Sequence, residues 1–246
     1  MDMKKNSANK KRFEILDTAR GFAIFLMFVF HFSYDLNEYG VIRQNFNHDP
    51  FWLNFRLVIV TLFLTIVGIS LYLATYQGLN KKHFRKRLLF LLGYSALVSL
   101  GSWLMYPQAM IFFGILHFIC VASVVGLLFV HLGVLNLFLG TALVLLSQFV
   151  SHPFFDQPAM QWFGLMTHLP ITVDYVPMLP WFGVVLLGIY LGQCLTRLQP
   201  QSLLVRWQNR HAVSKLLALG GRYSLHIYML HQPLFLGILY IIYRLL

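Results

Sequence analysis

The stretch Arg20-Gly21-Phe22-Ala23-Ile24-Phe25-Leu26-Met27-Phe28-Val29-Phe30-His31-Phe32-Ser33-Tyr34-Asp35 is helix-length and apolar, yet it opens on a cation and closes on an imidazole and a carboxylate. An apolar run of this length reads as a membrane span. An ionisable side chain inside such a span defaults to a functional reading, because burying it in hydrocarbon is costly. Arg20 and His31 are eleven residues apart. At about 100° per residue that is close to three turns, so both face the same way, roughly 16 Å apart along the axis. Asp35, four residues beyond His31, shares that face. One helix thus carries a polar line from one membrane surface toward the other.

The rest of the chain supports the membrane reading. Of 246 residues 58% are hydrophobic and only 11% charged, with a mean hydropathy of +0.67. A soluble domain carries about 25% charge, so the polar surface here is too small to coat a water-soluble globule. Apolar runs at about 17–35, 57–77, 88–106, 111–130, 132–150, 176–195 and 222–243 each approach the ~20 residues a bilayer needs. The expected fold is all-α, a polytopic membrane helix bundle of about seven transmembrane helices in a single domain over 1–246. An eighth, short helix in 196–221 is left open.

A net charge of +11 would point to nucleic acid in a soluble protein. Its distribution argues against that partner. Lys4, Lys5, Lys10, Lys11 and Arg12 precede the first run, Lys81, Lys82, Arg85, Lys86 and Arg87 form a second cluster, and Arg197, Arg206, Arg210 and Lys215 a third. Cations that recur after every second span are the positive-inside pattern. It places residues 1–12 in the cytosol as a basic tail. The first span is expected to be uncleaved, since no small-residue cleavage site follows it. The 81–87 cluster has two readings: a plain topology signal, or a seat for anionic lipid or the phosphates of a nucleotide-bearing cofactor.

The outer side has its own character. Asp35, Glu38, Asp49, Asp156, Asp174, His48, His152 and His168 fall there, with Tyr39, Trp52, Trp162 and Tyr175 in the two long segments 36–56 and 151–175. Aromatic residues at this level anchor a protein at the interface. The same mixture also suits a polar or sugar-like acceptor. Cys120 and Cys194 lie in apolar runs without CxxC spacing, no zinc-type cluster occurs, and no metal is expected. A P-loop and a GxSxG elbow are likewise missing from the sequence.

His31 with Asp35 one turn away has the spacing of a general base and its orienter; the bland reading is an interhelical hydrogen bond. Arg20 follows Asp17 by three residues, so the pair either neutralises itself or presents a guanidinium to an anion. His48, in Asn47-His48-Asp49-Pro50, is a loop histidine that is either solvated or functional. His117, in Gly114-Ile115-Leu116-His117, lines a cavity or bonds another helix. In the last span Ser224, Tyr228 and His231 share one face while His226 points elsewhere, Arg222 sits at the span's inner start, and Pro233 is expected to kink the helix. Trp181, in Pro177-Met178-Leu179-Pro180-Trp181-Phe182-Gly183, caps a pocket or anchors the interface.

The line Arg12-Phe13-Glu14-Ile15-Leu16-Asp17-Thr18-Ala19-Arg20-Gly21-Phe22-Ala23-Ile24, ending in His31, resembles the first helix of the transmembrane acyltransferases. Gly114-Ile115-Leu116-His117, the Pro177–Gly183 piece and Ser224-Leu225-x-Ile227-Tyr228-x-x-His231 after Gly220 follow in the same order. Within that superfamily the chain is most similar to the bacterial branch of the heparan-α-glucosaminide N-acetyltransferase-like family. The resemblance implies a membrane acetyltransferase of the bacterial inner membrane, taking acetyl from cytosolic acetyl-CoA to a hydroxyl or amine of a glycan or similar acceptor at the outer face. It implies His31 and His48 as catalytic residues, and Asp35 joins them as the orienter that spacing places one turn from His31. Arg20, His117, Arg222, Tyr228, His231 and Trp181 are the expected binding residues. Tyr228 or His231 would stabilise an oxyanion. The chain is shorter than the eukaryotic members, and its His31–His48 spacing is longer. A transporter or flippase for a small anionic solute or lipid-linked sugar is the rival reading, and a non-catalytic membrane subunit a third. A homo-oligomer remains open.

Overall fold

The computed structural model describes residues 13–198 and 207–245. The basic tail 1–12 and Arg206 lie outside the described residues. Regular structure among the described residues is helical: α1 (Glu14–Glu38), α2 (Pro50–Tyr76), α3 (Lys81–Met105), α4 (Ile115–Val125), α5 (Leu135–Phe149), α6 (Met178–Arg197), α7 (Ala212–Arg222) and α8 (Ser224–Leu245), joined by loops and short 3-10 turns. Helices α1, α2, α3, α6 and α8 are long and apolar enough to cross a membrane, while α4, prolonged by a 3-10 turn to Leu128, and α5 are shorter and apolar. The protein is a polytopic helical membrane protein.

The seven expected spans each overlap one of these helices, but their limits differ. The fourth and fifth are shorter than hydropathy implied. Hydropathy counts Ile111, Phe112 and Phe113 as span, yet they are non-helical, and Phe113 O accepts a bond from Val176 N (3.1 Å) across the 150–177 loop. Helix α5 starts only after Gly133, whose φ of +60° suits glycine. Conversely α2 starts at Pro50, well before the expected 57. Asp49 caps it, accepting from Phe51 N at 2.8 Å, and Pro50 stands in the first turn where no backbone donor is needed. The question left open for 196–221 is answered by α7.

Small residues let the helices approach closely, as is usual in membrane bundles. A Cβ added at Gly68 of α2 would lie 2.2 Å from Val185 O of α6, and one at Gly188 of α6 would lie 2.4 Å from Thr65 O of α2. Gly140 of α5 and Gly183 of α6 face each other in the same way. Around this α2–α6 spine Leu64, Phe118, Val185, Leu186 and Ile189 are fully buried. Helix α3 is the exception. It buries only Leu91, Ser95 and Ser102 and exposes Leu89, Leu92, Leu97, Leu100, Trp103 and Leu104, a face suited to hydrocarbon.

The feature that positions the site is the pairing of α1 with α7 at one end and with α8 at the other. At Gly21 an added Cβ would fall 1.8 Å from Leu217 O, and at Gly221 one would fall 1.9 Å from Asp17 O. The two backbones touch with no side chain between them. The 207–211 segment reinforces the junction: Thr18 Oγ1 donates to Asn209 Oδ1 (2.7 Å), and Asn209 N donates to Glu14 Oε2 (2.9 Å).

Candidate active site

Two polar groupings lie along α1, one at each end. At the far end His31 and Asp35 meet His231 and Gln232 of α8. The His31 and His231 ring centroids are 5.0 Å apart with planes inclined at 60°. Phe28 stacks on His231 at 5.9 Å, and Tyr228 and Phe235 pack against it at 5.4 and 5.8 Å. Asp35 is 3% exposed and His231 5%; His31 is half-buried.

The orienting contact expected between Asp35 and His31 is not formed. Gln232 Nε2 reaches across from α8 and donates to Asp35 Oδ1 at 2.8 Å. His231 Nδ1 bonds the Tyr228 carbonyl one turn earlier on its own helix. Asp35 Oδ2, His231 Nε2 and Gln232 Oε1 are buried without a hydrogen-bond partner among the described residues. Leaving such a group unsatisfied costs about 1–3 kcal/mol each. Three at one place call for an explanation beyond packing.

The far end also includes Asp174. Its Oδ2 accepts from Ile115 N (2.9 Å), holding the first turn of α4, and it stands within electrostatic reach of Tyr228 and Arg56. Burial pushes its carboxyl above the usual range, against the opposing pull of the Ile115 N–H and Arg56. His117, three residues after Gly114, accepts from Gly114 N at Nδ1 (3.3 Å). Its Nε2 lies 3.1 Å from Ser99 Oγ, whose own proton goes to Ile111 O at 2.6 Å. With Nδ1 accepting, Nε2–H is the donor to Ser99. Both nitrogens of His117 are therefore spent on tying α3 to the start of α4. His226 faces away from the cluster, bonding Tyr94 of α3 at 2.6 Å. Trp181 packs half-buried against the core at the start of α6.

Beyond the last turn of α1 lies an open cavity of about 660 Å³ whose wall includes Tyr34, Asn37, Glu38, Arg43, Gln44 and Asn45. Trp52 Nε1 donates to Gln44 Oε1 (3.3 Å), and Phe46 packs on Trp52 at 4.2 Å, holding the loop in place. His48 is exposed, with Nδ1 3.1 Å from Asn45 Oδ1. The structure thus brings His48 to the cavity rim through Asn45, and not into contact with His31.

At the near end Arg20 ties three elements together. Its Nη1 donates to Asp17 Oδ1 (3.3 Å) and to Gly221 O (3.4 Å), and its Nη2 to Ser70 Oγ (2.8 Å). Arg222 Nε stands 3.7 Å from Asp17 Oδ2. Arg87 of α3 is half-buried and close enough to Arg20 for the two guanidinium charges to repel.

The family model described as heparan-alpha-glucosaminide N-acetyltransferase, catalytic, matches residues 12–233. The chain belongs to this family. The matched range of the heparan-α-glucosaminide N-acetyltransferase family takes in both ends of α1, the loop with His48, and α8 through Gln232 and Pro233. The family identifies the protein as a membrane acetyltransferase. No curated protein and no solved structure matches the chain. Among the described residues no group of three or more His, Cys, Asp or Glu side chains is placed to hold a metal ion. Sequence reasoning passed over Gln232, though a polar residue beside His231 inside a span was a usable signal. It placed Asp174 on the outer side without seeing that it holds α4, which no local pattern announces.

Proposed function

We propose that this protein is an acyl-CoA-dependent transmembrane acetyltransferase. It takes the acetyl group of acetyl-CoA at the cytosolic face and delivers it to a hydroxyl or amine of a glycan-like or other small acceptor at the opposite face. The observation that carries the reading is the meeting of His31 and His231 beside Asp35 and Gln232, with three unpartnered acceptor atoms, in a chain of an acetyltransferase family. The whole chain, 1–246, is taken as one such domain. It sits in a bacterial inner membrane with the N-terminus in the cytosol.

With the basic clusters in the cytosol, the Arg20 end faces the donor. Arg20 and Arg222 converge on one carboxylate, Asp17, and Arg87 adds a further charge, so this end suits the phosphates of CoA by bidentate, charge-assisted bonds. The His31 end then faces the acceptor. An imidazole there takes the acceptor's proton as its heteroatom attacks the thioester carbonyl, and the Tyr228 hydroxyl is the candidate donor to the developing oxyanion. His48, at the rim of the outer cavity, meets an acceptor on its way in. His117, which ties α3 to the start of α4, and Trp181 remain candidate binding residues.

The test is sealed, inside-out membrane vesicles supplied outside with acetyl-CoA labelled in the acetyl group. Label should accumulate in lumenal or lipid-linked acceptors only where the chain is present. Absence of labelled product from vesicles that bind the donor would sink the proposal. Movement of an unmodified solute without any acyl donor would favour a transporter.

A further inference from the structure

We propose that His231 is the base of the transfer and acts through Nε2, an assignment that rests on the acetyltransferase reading above. His231 Nδ1 bonds the carbonyl oxygen of Tyr228. A carbonyl only accepts, so Nδ1 carries the proton and Nε2 of the neutral ring is a bare lone pair. That lone pair is buried and has no partner among the described residues. A base needs three things: a fixed tautomer, a fixed orientation and a free nitrogen. The Tyr228 carbonyl supplies the first, the Phe28, Tyr228 and Phe235 rings supply the second, and Nε2 is the third.

His31 lacks the first of these. Among the described residues it makes no hydrogen bond that sets its tautomer, and the carboxylate one turn away is engaged by Gln232. Asp35 and Gln232, bonded to each other near the His31–His231 contact, supply two further acceptors. Asp35 Oδ2 and Gln232 Oε1 are both buried and unpartnered among the described residues. Buried acceptors left without partners are complemented by an incoming N–H or O–H group, which is what the molecule to be acetylated brings. The same tautomer removes neutral His231 as an oxyanion donor and leaves that part to Tyr228. The titratable groups around His231 are His31 and Asp35 from α1, Tyr228 from α8, and Asp174 beyond Tyr228.

The step balances. Nε2 takes the proton of the acceptor's N–H or O–H as the heteroatom bonds the thioester carbonyl carbon. The tetrahedral adduct collapses by breaking the C–S bond, whose electron pair leaves with sulfur. The thiolate takes the proton back from Nε2–H. The products are acetylated acceptor and free thiol, and His231 returns to its neutral Nδ1–H form.

The experiment uses the full chain in lipid nanodiscs and in the labelled vesicles described above. In ¹⁵N-histidine spectra His231 should show a protonated Nδ1 and a bare Nε2. His231→Asn places an amide N–H where Nδ1–H stood and deletes the base. It should bind acetyl-CoA within about twofold of wild type while kcat falls about 10²–10⁴-fold. His231→Gln, which loses the bond to Tyr228 as well, should be no better. A His231 proton found on Nε2, or turnover by His231→Asn within a few-fold of wild type, overturns the assignment. If His231→Asn does not fold, the wild-type tautomer decides. A wild-type protein that transfers no acetyl group removes the underlying reading, a result distinct from intact transfer in His231→Asn.

Discussion

His31 and His231 meet ring to ring, 5.0 Å between centroids, although two hundred residues separate them in the chain. Each comes from a different membrane helix, and neither helix alone would hold a polar ring at this depth cheaply. His31→Ala is expected to leave the bundle folded, since His31 makes no hydrogen bond among the described residues, and to cut acetyl transfer by up to about 10²-fold by removing the ring that packs against the base His231. Labelled-acetyl transfer alongside a melting curve checks this. Undiminished transfer would take His31 out of the site.

The α1–α7 crossing has no tolerance for a methyl group. Gly21→Ala would bring Cβ within 1.8 Å of Leu217 O, and Gly221→Ala within 1.9 Å of Asp17 O. Both obstacles are backbone and cannot rotate aside. Each substitution is expected to cost about 1–3 kcal/mol or more, the scale of overpacking. Gly220→Ala, with nothing within 4 Å of its added Cβ, should be neutral by the same thermal assay. Equal stability of the Gly21 and Gly220 variants would contradict the crossing.

Arg87 is half-buried beside Arg20, a cation held near a cation. If it serves the donor's phosphates, Arg87→Gln should raise KM for acetyl-CoA about tenfold with kcat nearly unchanged, the signature of lost binding common to ground and transition states. Thermal stability should stay level or rise as the repulsion is relieved. An unchanged KM would assign Arg87 to topology alone.

The 150–177 loop carries an acid-sensitive clasp. Asp156 accepts from Thr167 Oγ1 (2.7 Å) and Thr167 N (2.8 Å), with His168 Nδ1 3.5 Å away. The Thr167 side-chain bond, joined by its backbone N–H and His168, holds the carboxyl below its ordinary value. A depressed folded pKa stabilises the fold above the unfolded value, about 3.9, and that contribution is lost as pH falls through the folded pKa. Proteolytic nicking of the loop should therefore rise on acidification below about pH 4. Asp156→Asn should loosen the loop at neutral pH and flatten the profile. A loop equally resistant across the range would refute the clasp.

The line from Arg20 through His31 to Asp35 was legible because one helix carries it and helical spacing fixes its face. So was the shared face of Tyr228 and His231. What neighbouring helices bring to that line was not. Gln232 binds Asp35 across 197 residues of sequence, and no spacing on α1 foretells a partner on α8. His117 shows the same limit from the other side: spacing left open whether it lines a cavity or bonds another helix, and its partners are Gly114 N–H and Ser99 of α3. The start of α2 was readable and missed, since Asp49-Pro50 is a cap followed by a first-turn proline. The short α4 and α5 were not, because hydropathy registers an apolar residue equally in a helix or in an extended linker.

A helix seated backbone on backbone has no freedom to roll. Turning α1 by one residue, about 100°, would swing Phe22 or Arg20 into the place where Gly21 meets Leu217 and lift the two elements apart. The azimuth and depth of His31, roughly 15 Å further along the axis, are thus set by a contact it never makes. Helix α7 acts as the mount for a ring at the other end of α1.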